Sequence, residues 1–234
     1  VIKIDERPWR GLLDQNRGQT LGIDVFVKKD GAWQQFKTVT NQIAEENIDK
    51  YLVYRKMHPT HLRVKGEIAI YSRDLTGFEE SVLLSGMSYE NGCVNCHSFA
   101  ANRPETMLLG VRSSNHGVGT LLVDGGTIHE IGTKLGYTSW HPNGRLAVYS
   151  VNNLPMFRHS ARNEVRDTVD LDSFLACYSH DDGNIRVEPN LARKECLENW
   201  PAWSGDGEYL YFCIAPKLWP DGTPSPPEKY DQVR

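Results

Sequence analysis

The sequence predicts an all-β fold, a β-propeller whose blades are incomplete within the 234 residues of the chain. Two observations predict it. A strand-turn-strand motif occurs twice, at 137–150 and at 200–213, and strand-length apolar segments recur between turn-forming dipeptides. Internal repeats of this kind are typical of propellers and solenoids. A β-sandwich whose turns are similar by accident is the alternative fold.

The two copies of the motif share a tryptophan, a turn and a following apolar strand. Residues 137–150 read Tyr-Thr-Ser-Trp-His-Pro-Asn-Gly-Arg-Leu-Ala-Val-Tyr-Ser, and residues 200–213 read Trp-Pro-Ala-Trp-Ser-Gly-Asp-Gly-Glu-Tyr-Leu-Tyr-Phe-Cys. Asn-Gly or Asp-Gly forms each turn, because glycine tolerates a positive φ. Trp140 and Trp203 are 203 − 140 = 63 positions apart, more than the roughly 40–45 residues of a compact blade. We expect the polar segment 154–172 to be a surface insertion that accounts for the excess.

Further blades follow when the repeat is extended towards the N-terminus. Aligning Cys96-His97 with Trp140-His141 makes 107–111 the second strand of its blade. We expect an N-terminal extension over 1–20, propeller blades over 21–215 and a Pro/Gly-rich tail over 216–234. The expected blade units are 21–85, 86–135, 136–198 and 199 onward, with further strands at 23–27, 32–37, 51–56, 67–74, 80–84, 119–123 and 127–131. The last unit lacks outer strands, and a propeller needs closure. We therefore expect a longer protein or a partner that completes the edge.

One short motif carries chemistry. Residues 93–97 read Cys-Val-Asn-Cys-His, the C-x-x-C-H pattern to which c-type haem is attached. The thiols of Cys93 and Cys96 add to the haem vinyl groups, and His97 is then held beneath the iron as its proximal ligand. A zinc site needs a second pair of ligands, and a thioredoxin-like pair belongs at the start of a helix. We therefore expect one covalent haem c in the 21–215 region.

The sixth iron ligand has two candidates, Met107 and His141, between which the sequence does not decide. Met107 lies ten positions after His97, and His141 occupies the aligned position in the next blade. Methionine would raise the reduction potential, whereas a second histidine would lower it. Met107 is otherwise a core residue and His141 a turn residue. His116 and Met87 are weaker candidates.

The remaining basic and thiol side chains leave several questions open. Arg103 and Arg112 are candidates for pairing with haem propionates, although surface arginine is the default reading. The other cysteines are Cys177, Cys196 and Cys213, an odd number. One disulfide with one free thiol and three buried thiols are both compatible with the sequence.

Composition excludes some classes of function. The net charge of −4 provides no basic field for nucleic acid. No apolar segment approaches the roughly 20 residues of a transmembrane helix. The N-terminal residues lack the pattern of a signal peptide. Because haem c is attached outside the cytoplasm, we expect an export leader that was removed.

The motifs resemble a known group. The segments Trp-His-Pro-Asn-Gly at 140–144 and Trp-Ser-Gly-Asp-Gly at 203–207 are similar to TolB-type (PD40) propeller repeats, which typically read Trp-Ser-Pro-Asp-Gly. Together with Cys-Val-Asn-Cys-His-Ser-Phe at 93–99, they resemble haem-c-bearing TolB-like proteins of bacterial envelopes. The resemblance covers about 15–215. It implies a propeller of six or seven blades outside the cytoplasm, in the periplasm or cell envelope.

Three functions follow as hypotheses. The first is a monohaem c-type cytochrome, an electron-transfer subunit with redox partner proteins in a larger extracytoplasmic complex. The second is a TolB-like scaffold that binds proteins and uses the haem as a structural staple. The third, an enzyme with haem chemistry such as a peroxidase, ranks last because it needs an open sixth position. No catalytic triad or paired carboxylate is evident, so an electron carrier is favoured over a catalyst.

Overall fold

The computed structural model describes residues 4–57, 68–77, 79–115, 117–132, 134–154, 156–158, 166–168 and 170–217. Its elements, in chain order, are α1 (Glu6–Gln15), β1 (Thr20–Ile23), β2 (Phe26–Lys29), β3 (Ala32–Gln35), β4 (Val39–Gln42), β5 (Tyr51–Lys56), β6 (Ala69–Asp74), β7 (Glu80–Ser85), β8 (Cys93–Phe99), β9 (Thr106–Ser113), β10 (Gly117–Asp124), β11 (Thr127–Glu130), β12 (Thr138–Trp140), β13 (Leu146–Asn153), β14 (Met156–Arg158), β15 (Arg166–Thr168), β16 (Asp172–Ser179), β17 (Ile185–Arg186), β18 (Cys196–Trp203) and β19 (Leu210–Pro216).

The chain divides into two compact units. The smaller lies within Val1–Tyr54 and Tyr71–Leu83, and the larger within Arg55–Ile70 and Leu84–Arg234. In the smaller unit, β1 pairs with β4 and β2 pairs with β3 in antiparallel ladders. The three strands β5, β6 and β7 form a sheet in chain order. Among the described residues, no helix has the length and apolar content needed to cross a membrane.

The larger unit consists of antiparallel sheets whose strands lie side by side in chain order, with β14 and β15 inserted between two neighbouring strands of one sheet. Blade one has the order β8-β9-β10-β11, and blade two has the order β12-β13-β16-β17. Blade three contains β18 and β19 within the described residues. Repeated four-stranded meanders of this kind are the units of a propeller. The fold is an incomplete β-propeller.

Blades one and two pack on each other through a shared apolar core. Leu108 of β9 and Tyr149 of β13 are fully buried in it, and the indole of Trp140 belongs to the same core and makes an edge contact with Tyr178. The indole nitrogen of Trp140 donates to the carbonyl oxygen of Ser98 in blade one, at 3.2 Å. Complete burial of a leucine contributes about 1.5–3 kcal/mol. The two blades are therefore joined by apolar burial and by the hydrogen bond from the repeat tryptophan of blade two to blade one.

The register of the strands shows which residues of successive blades are equivalent. Trp140 and Trp203 are the last residues of their strands, and they pair with Ala147 and Leu210 near the start of the strand after each turn. In blade one the residue in that place is Phe99, which pairs with Met107. The expected alignment of Cys96-His97 with Trp140-His141 and Trp203-Ser204 was therefore wrong by three residues. Cys96 and His97 lie within strand β8 rather than in the turn that follows it.

Most of the expected strands are confirmed, and the differences are local. The second strand of blade one extends over Thr106–Ser113, and its outer hairpin is Gly117–Asp124 with Thr127–Glu130. The backbone of the expected insertion forms the hairpin β14–β15. The N-terminal extension contains helix α1, which was not expected. Residues 218–234, most of the expected tail, lie outside the described residues.

Candidate haem site

The C-x-x-C-H motif lies on a strand with a β-bulge. The pairing of β8 with β9 is regular up to Asn95 opposite Gly110, shifts, and resumes at Ser98 opposite Leu108. Within this bulge Cys96 has φ of +45°, in the left-handed region that residues with a side chain rarely adopt. A bulge re-aims the side chains of the strand. Here it brings two successive residues, Cys96 and His97, to the wall of one cavity.

The cavity has a volume of about 440 Å³, within the roughly 300–1,000 Å³ of typical ligand pockets. Cys96 and His97 of blade one form one wall, and the other walls come from blades two and three. The lining residues are Cys96, His97, Tyr137, Thr138, Trp200, Pro201 and Ala202. All of them belong to the first, innermost strand of their blade or to the residue before it. The site is therefore built where the inner strands of three blades meet.

The three walls use equivalent positions of the repeat. If Phe99, Trp140 and Trp203 are aligned by their register, the residues three positions before them are Cys96, Tyr137 and Trp200. The next positions hold His97, Thr138 and Pro201. Strand β18 also carries the same bulge as β8, between Asn199 and Ala202, and Trp200 within it has φ of +51°. The same bulge thus carries the Cys96 thiol in blade one and the Trp200 indole in blade three.

A chain of hydrogen bonds between polar side chains joins the Tyr137 and Trp200 walls. The backbone N–H of Tyr137 donates to Ser150 Oγ at 3.1 Å, and this hydroxyl donates to Asn152 Oδ1 at 2.7 Å. The Asn152 amide donates to Asp170 Oδ2 at 2.8 Å.

From blade three, the side-chain amide of Asn199 donates to the same Asp170 oxygen at 3.3 Å, and Asn199 Oδ1 accepts from the backbone N–H of Trp200 at 2.9 Å. Ser150 and Asn199 are buried. Paired members of a buried polar network hold their elements in one geometry, although Asp170 Oδ1 is buried and has no partner among the described residues. This network therefore fixes the backbone at both aromatic walls of the cavity.

The electrostatic surroundings of the motif are set by burial and one arginine. Burial raises the pKa of the Cys96 thiol, and the nearby guanidinium of Arg55 lowers it by less. Arg55 donates to Asn95 Oδ1 in the bulge, and to Met57 Sδ at 3.4 Å. Cys93 is 9% exposed. At neutral pH the Cys96 side chain is therefore a protonated thiol with a cation beside it.

The motif was tested against the haem that it implies. Covalent attachment needs thiols and an imidazole that open onto one space large enough for a planar ligand. Cys96 and His97 both line the cavity, and its apolar and aromatic walls suit a porphyrin ring. Cys93 lies at the start of β8 and is buried outside the lining, close enough to influence the Cys96 pKa. Cys96 and His97 therefore meet this requirement, and Cys93 does not, because it is buried outside the lining.

Met107, the first candidate for the sixth ligand, lies on β9 and is 8% exposed. Its cross-strand partners are Phe99 and Val123. Neighbouring residues of a strand point to opposite faces, and its neighbour Leu108 faces the core shared with blade two, against which Cys96 also packs. Met107 thus lies on the sheet face away from blade two. Its ligation of the iron stays a prediction.

His141, the second candidate, lies in the turn after β12 and holds blade three. Its Nε2 is 3.1 Å from the carbonyl oxygen of Gly207, and its Nδ1 accepts from the backbone N–H of Asn143 at 3.2 Å. Its ring also makes an edge contact with Trp203, with centroids 4.9 Å apart. Binding iron would require the ring to give up one of these hydrogen bonds. Its ligation of the iron also stays a prediction.

The weaker candidates lie apart from the cavity lining or outside the described residues. Met87 is exposed, and His116 is outside the residues that the structure describes. Arg112 lies opposite Cys93 on β9, and Arg103 follows the short 3-10 turn after β8. Both arginines are exposed. Their pairing with propionates stays a prediction.

All five cysteines are unpaired in the structure. Cys177 and Cys196 are partly buried, and Cys213 is exposed. Burial raises the pKa of the Cys177 thiol, and the charge of Glu188 adds to this effect. Among the described residues, no three His, Cys, Asp or Glu side chains gather closely enough to hold a metal ion by themselves. A haem differs from such a site because the porphyrin supplies four of the ligands.

Comparisons with known proteins find similarity among solved structures. A chain from a structural and mechanistic study of two prolyl endopeptidases has a TM-score of 0.47 and 15% sequence identity, over 74% of this chain and 26% of that chain. TolB from Acinetobacter baumannii has a TM-score of 0.37 and 10% identity, over 92% of this chain and 67% of that chain. The chain spans about a quarter of the prolyl endopeptidase chain. No protein-family model matches it, and no curated protein matches it. The fold assignment rests on the sheets of this chain.

Sequence reasoning missed the residues contributed by the neighbouring blades. Tyr137 and Trp200 begin the two repeat segments, so they were in view as repeat residues but not as site residues. An alignment of Phe99 with Trp140 and Trp203 would have placed both of them at the repeat position that Cys96 occupies. Arg55 was missed because its approach to Asn95 joins positions 40 apart in sequence. Nothing in its local sequence marks it.

Proposed function

We propose that the chain is a monohaem c-type cytochrome that transfers electrons within an extracytoplasmic redox complex. The observation that carries the proposal is the opening of Cys96 and His97 onto one cavity of about 440 Å³ between three blades. The C-x-x-C-H pattern supplies the chemistry, because two thiols and an adjacent imidazole are the attachment set of haem c. Location in the periplasm or cell envelope follows from where haem c is attached.

The chain's own residues have distinct tasks in this proposal. Cys93 and Cys96 would tether the cofactor, and a ring nitrogen of His97 would bind the iron. The haem supplies reversible one-electron chemistry when it is bound. The guanidinium of Arg55, near Cys96, offers a positive charge for a propionate.

The experiment is to produce the chain in a host that matures c-type cytochromes and to measure its mass and its reduced-minus-oxidised absorption spectrum. We expect one covalent haem per chain and a reversible reduction. The Cys93→Ala, Cys96→Ala double variant should lose covalent haem. Cys213→Ala is the matched control, since that thiol is exposed and not part of the cavity. A chain that gains no haem in a host that loads another c-type cytochrome would contradict the proposal.

A protein-binding role is the second candidate, and one observation favours it. The hairpin β2–β3 of the smaller unit is exposed along its whole length, and Phe26 and Trp33 are 53% and 68% exposed. The pairing places Lys28 opposite Trp33. Exposed aromatic residues of this kind mark interaction sites.

The variants Phe26→Ser and Trp33→Ser separate the two roles, with the exposed Ile128→Ser of β11 as control. If a co-purifying partner is lost while the haem spectrum is retained, binding and electron transfer use different parts of the chain. If the partner is retained by all three variants, the hairpin is not its docking site.

A further inference from the structure

We propose that two copies of the chain associate through the free edge of β19, so that each copy completes blade three of the other. The sheet that results has the order β18-β19-β19′-β18′, with primes for the partner, and is antiparallel throughout. It is four strands wide, as the sheets of blades one and two are. The inference goes beyond the proposed cytochrome function and does not depend on it, because β19 contributes no residue to the described lining of the cavity.

The edge of β19 that faces away from β18 has no strand beside it among the described residues. The equivalent second strands of blades one and two, β9 and β13, each pair at that edge with a third strand, over eight residues in both cases. An unpaired edge presents a row of backbone N–H and C=O groups and is a template for another strand. Blade three therefore exposes the backbone groups to which a strand is bound in the other two blades.

The side chains of β19 are exposed where those of the equivalent strands are buried. Alignment by register makes Tyr211 equivalent to Leu108 and Val148. Leu108 and Val148 are buried, whereas Tyr211 is 62% exposed. Three positions further along, Ile214 is 49% exposed, and its blade-one equivalent, Val111, is buried. An apolar surface that is covered in two blades is thus uncovered in the third, which is typical of an interaction site.

Strand β19 also lacks the charges that protect exposed edges. Its seven residues, Leu-Tyr-Phe-Cys-Ile-Ala-Pro, include no acidic or basic side chain. By contrast, Glu130 ends β11 and Arg186 ends β17, the outermost strands of blades one and two. Charged residues on an edge strand disfavour pairing with another chain. The outer edges of the four-stranded blades are therefore protected, and the edge of β19 is not.

The sequence of β19 suits an antiparallel copy of itself. Cys213 is the middle residue of Leu210–Pro216, so a two-fold axis at Cys213 pairs the whole strand with its copy. Phe212 then lies opposite the partner's Ile214, and Ile214 lies opposite the partner's Phe212. Aromatic and β-branched residues form favourable cross-strand pairs. An interface of this kind uses the same surface on both copies and closes after two, so the assembly is a dimer and not a filament.

The first test is the mass of the full chain in solution, measured by sedimentation equilibrium in the presence of a reductant. We expect a concentration-dependent dimer of twice 26.5 kDa. Ile214→Lys buries an unpaired charge at the paired edge, so it should weaken association by about tenfold or more. Ile128→Lys is the matched control, because Ile128 is exposed on β11, which the interface does not use. Circular dichroism verifies that both variants are folded.

The second test uses the thiol of Cys213, which is exposed and would lie opposite its own copy. Oxidised glutathione is the oxidant: two Cys213 thiols form one disulfide, and their two protons and two electrons leave with two molecules of reduced glutathione. We expect a covalent dimer on non-reducing electrophoresis that Cys213→Ala abolishes and Ile214→Lys slows. An exposed thiol placed elsewhere, in the double variant Cys213→Ala, Ile128→Cys, should form the covalent dimer more slowly than Cys213 does.

Three results would overturn the proposal. The first is a chain that keeps the mass of one copy at every concentration. The second is a dimer whose mass and cross-linking are unchanged by Ile214→Lys, because its interface then lies elsewhere. The third is a monomer that binds a synthetic peptide of the β16 sequence, Asp172–Ser179, at this edge, because the edge then takes a strand of a different polypeptide.

Discussion

The junction between blades two and three depends on a glycine, and Gly207→Ala tests it. Gly207 has φ of +76°, and a Cβ built there would lie 2.4 Å from His141 Nε2 and 2.7 Å from His141 Cε1. A methyl group at this position must therefore displace the imidazole that bridges the blades. The same imidazole nitrogen is 3.1 Å from the Gly207 carbonyl oxygen.

Three terms set the size of the effect. The left-handed backbone costs an alanine about 1–2 kcal/mol. Displacement of the His141 ring loses a hydrogen bond of about 0.5–1.5 kcal/mol. Alanine offsets about 0.4–1 kcal/mol by restricting the unfolded chain. The net loss in the free energy of unfolding is about 1–3 kcal/mol, which for a domain of this size lowers Tm by about 2–4 °C for each kcal/mol.

The assay is thermal unfolding followed by circular dichroism, with Gly205→Ala as the matched control. Gly205 lies in the same turn, has no positive φ, and has nothing within 4 Å of a built Cβ. We expect the Tm of the control to stay at the wild-type value or to rise slightly. Equal Tm values for the two variants would refute the argument, because the glycines differ only in the strain and the contact described here.

Three further predictions concern buried and surface polar groups. Glu198 is fully buried and pairs with a partly exposed arginine at 2.6 Å, so Glu198→Gln, which weakens this pair, should cost about 1–3 kcal/mol in urea unfolding; an unchanged midpoint contradicts this. Ser150→Ala removes the acceptor of the Tyr137 N–H, so we expect a loss of about 1–3 kcal/mol in the free energy of unfolding, whereas a wild-type urea midpoint would show that this hydrogen bond contributes nothing. Hydrogen bonds to the Asp182 carboxylate, first that from Asn184, hold the pKa of Asp182 below its usual 3.8. The ionised carboxylate therefore stabilises the folded chain above pH 3.8, and this contribution is lost as the pH falls further. Asp182→Asn should accordingly flatten the stability of the chain against pH in the acid range, and a profile identical to wild type argues against the effect.

Local signals made the blades predictable from the sequence. Asn-Gly and Asp-Gly turns gave the hairpins of blades two and three, and apolar alternation gave the long strands of blade one. The bulge in β8 was not predictable, because no glycine or proline marks the left-handed residue Cys96. His97 and His141 lie at repeat positions that differ by three residues once the strands are aligned by register. Matching the two histidines to each other therefore favoured the wrong alignment.

The C-x-x-C-H motif at 93–97 was recognisable in the sequence, but the other residues that line the cavity were not predictable. Cysteine and histidine spacing is a local pattern, whereas the cavity joins residues such as Cys96 and Trp200 that are more than a hundred positions apart. The hydrogen-bond path from Tyr137 to Trp200 likewise joins residues of two blades. The periodicity of the sequence does not show which residues of different blades line the same cavity. Helix α1 was missed because its 10 residues contain a proline and a glycine.

The bulge shared by β8 and β18 means that blade three has the backbone of the C-x-x-C-H segment without its side chains. Register places Leu197 of β18 where Cys93 stands in β8, Trp200 where Cys96 stands and Pro201 where His97 stands. The residues between them match as well, since Val94 and Glu198 are both fully buried and an asparagine follows each. The substitutions Leu197→Cys, Trp200→Cys and Pro201→His would therefore place a second C-x-x-C-H motif on a strand that already has the same bend.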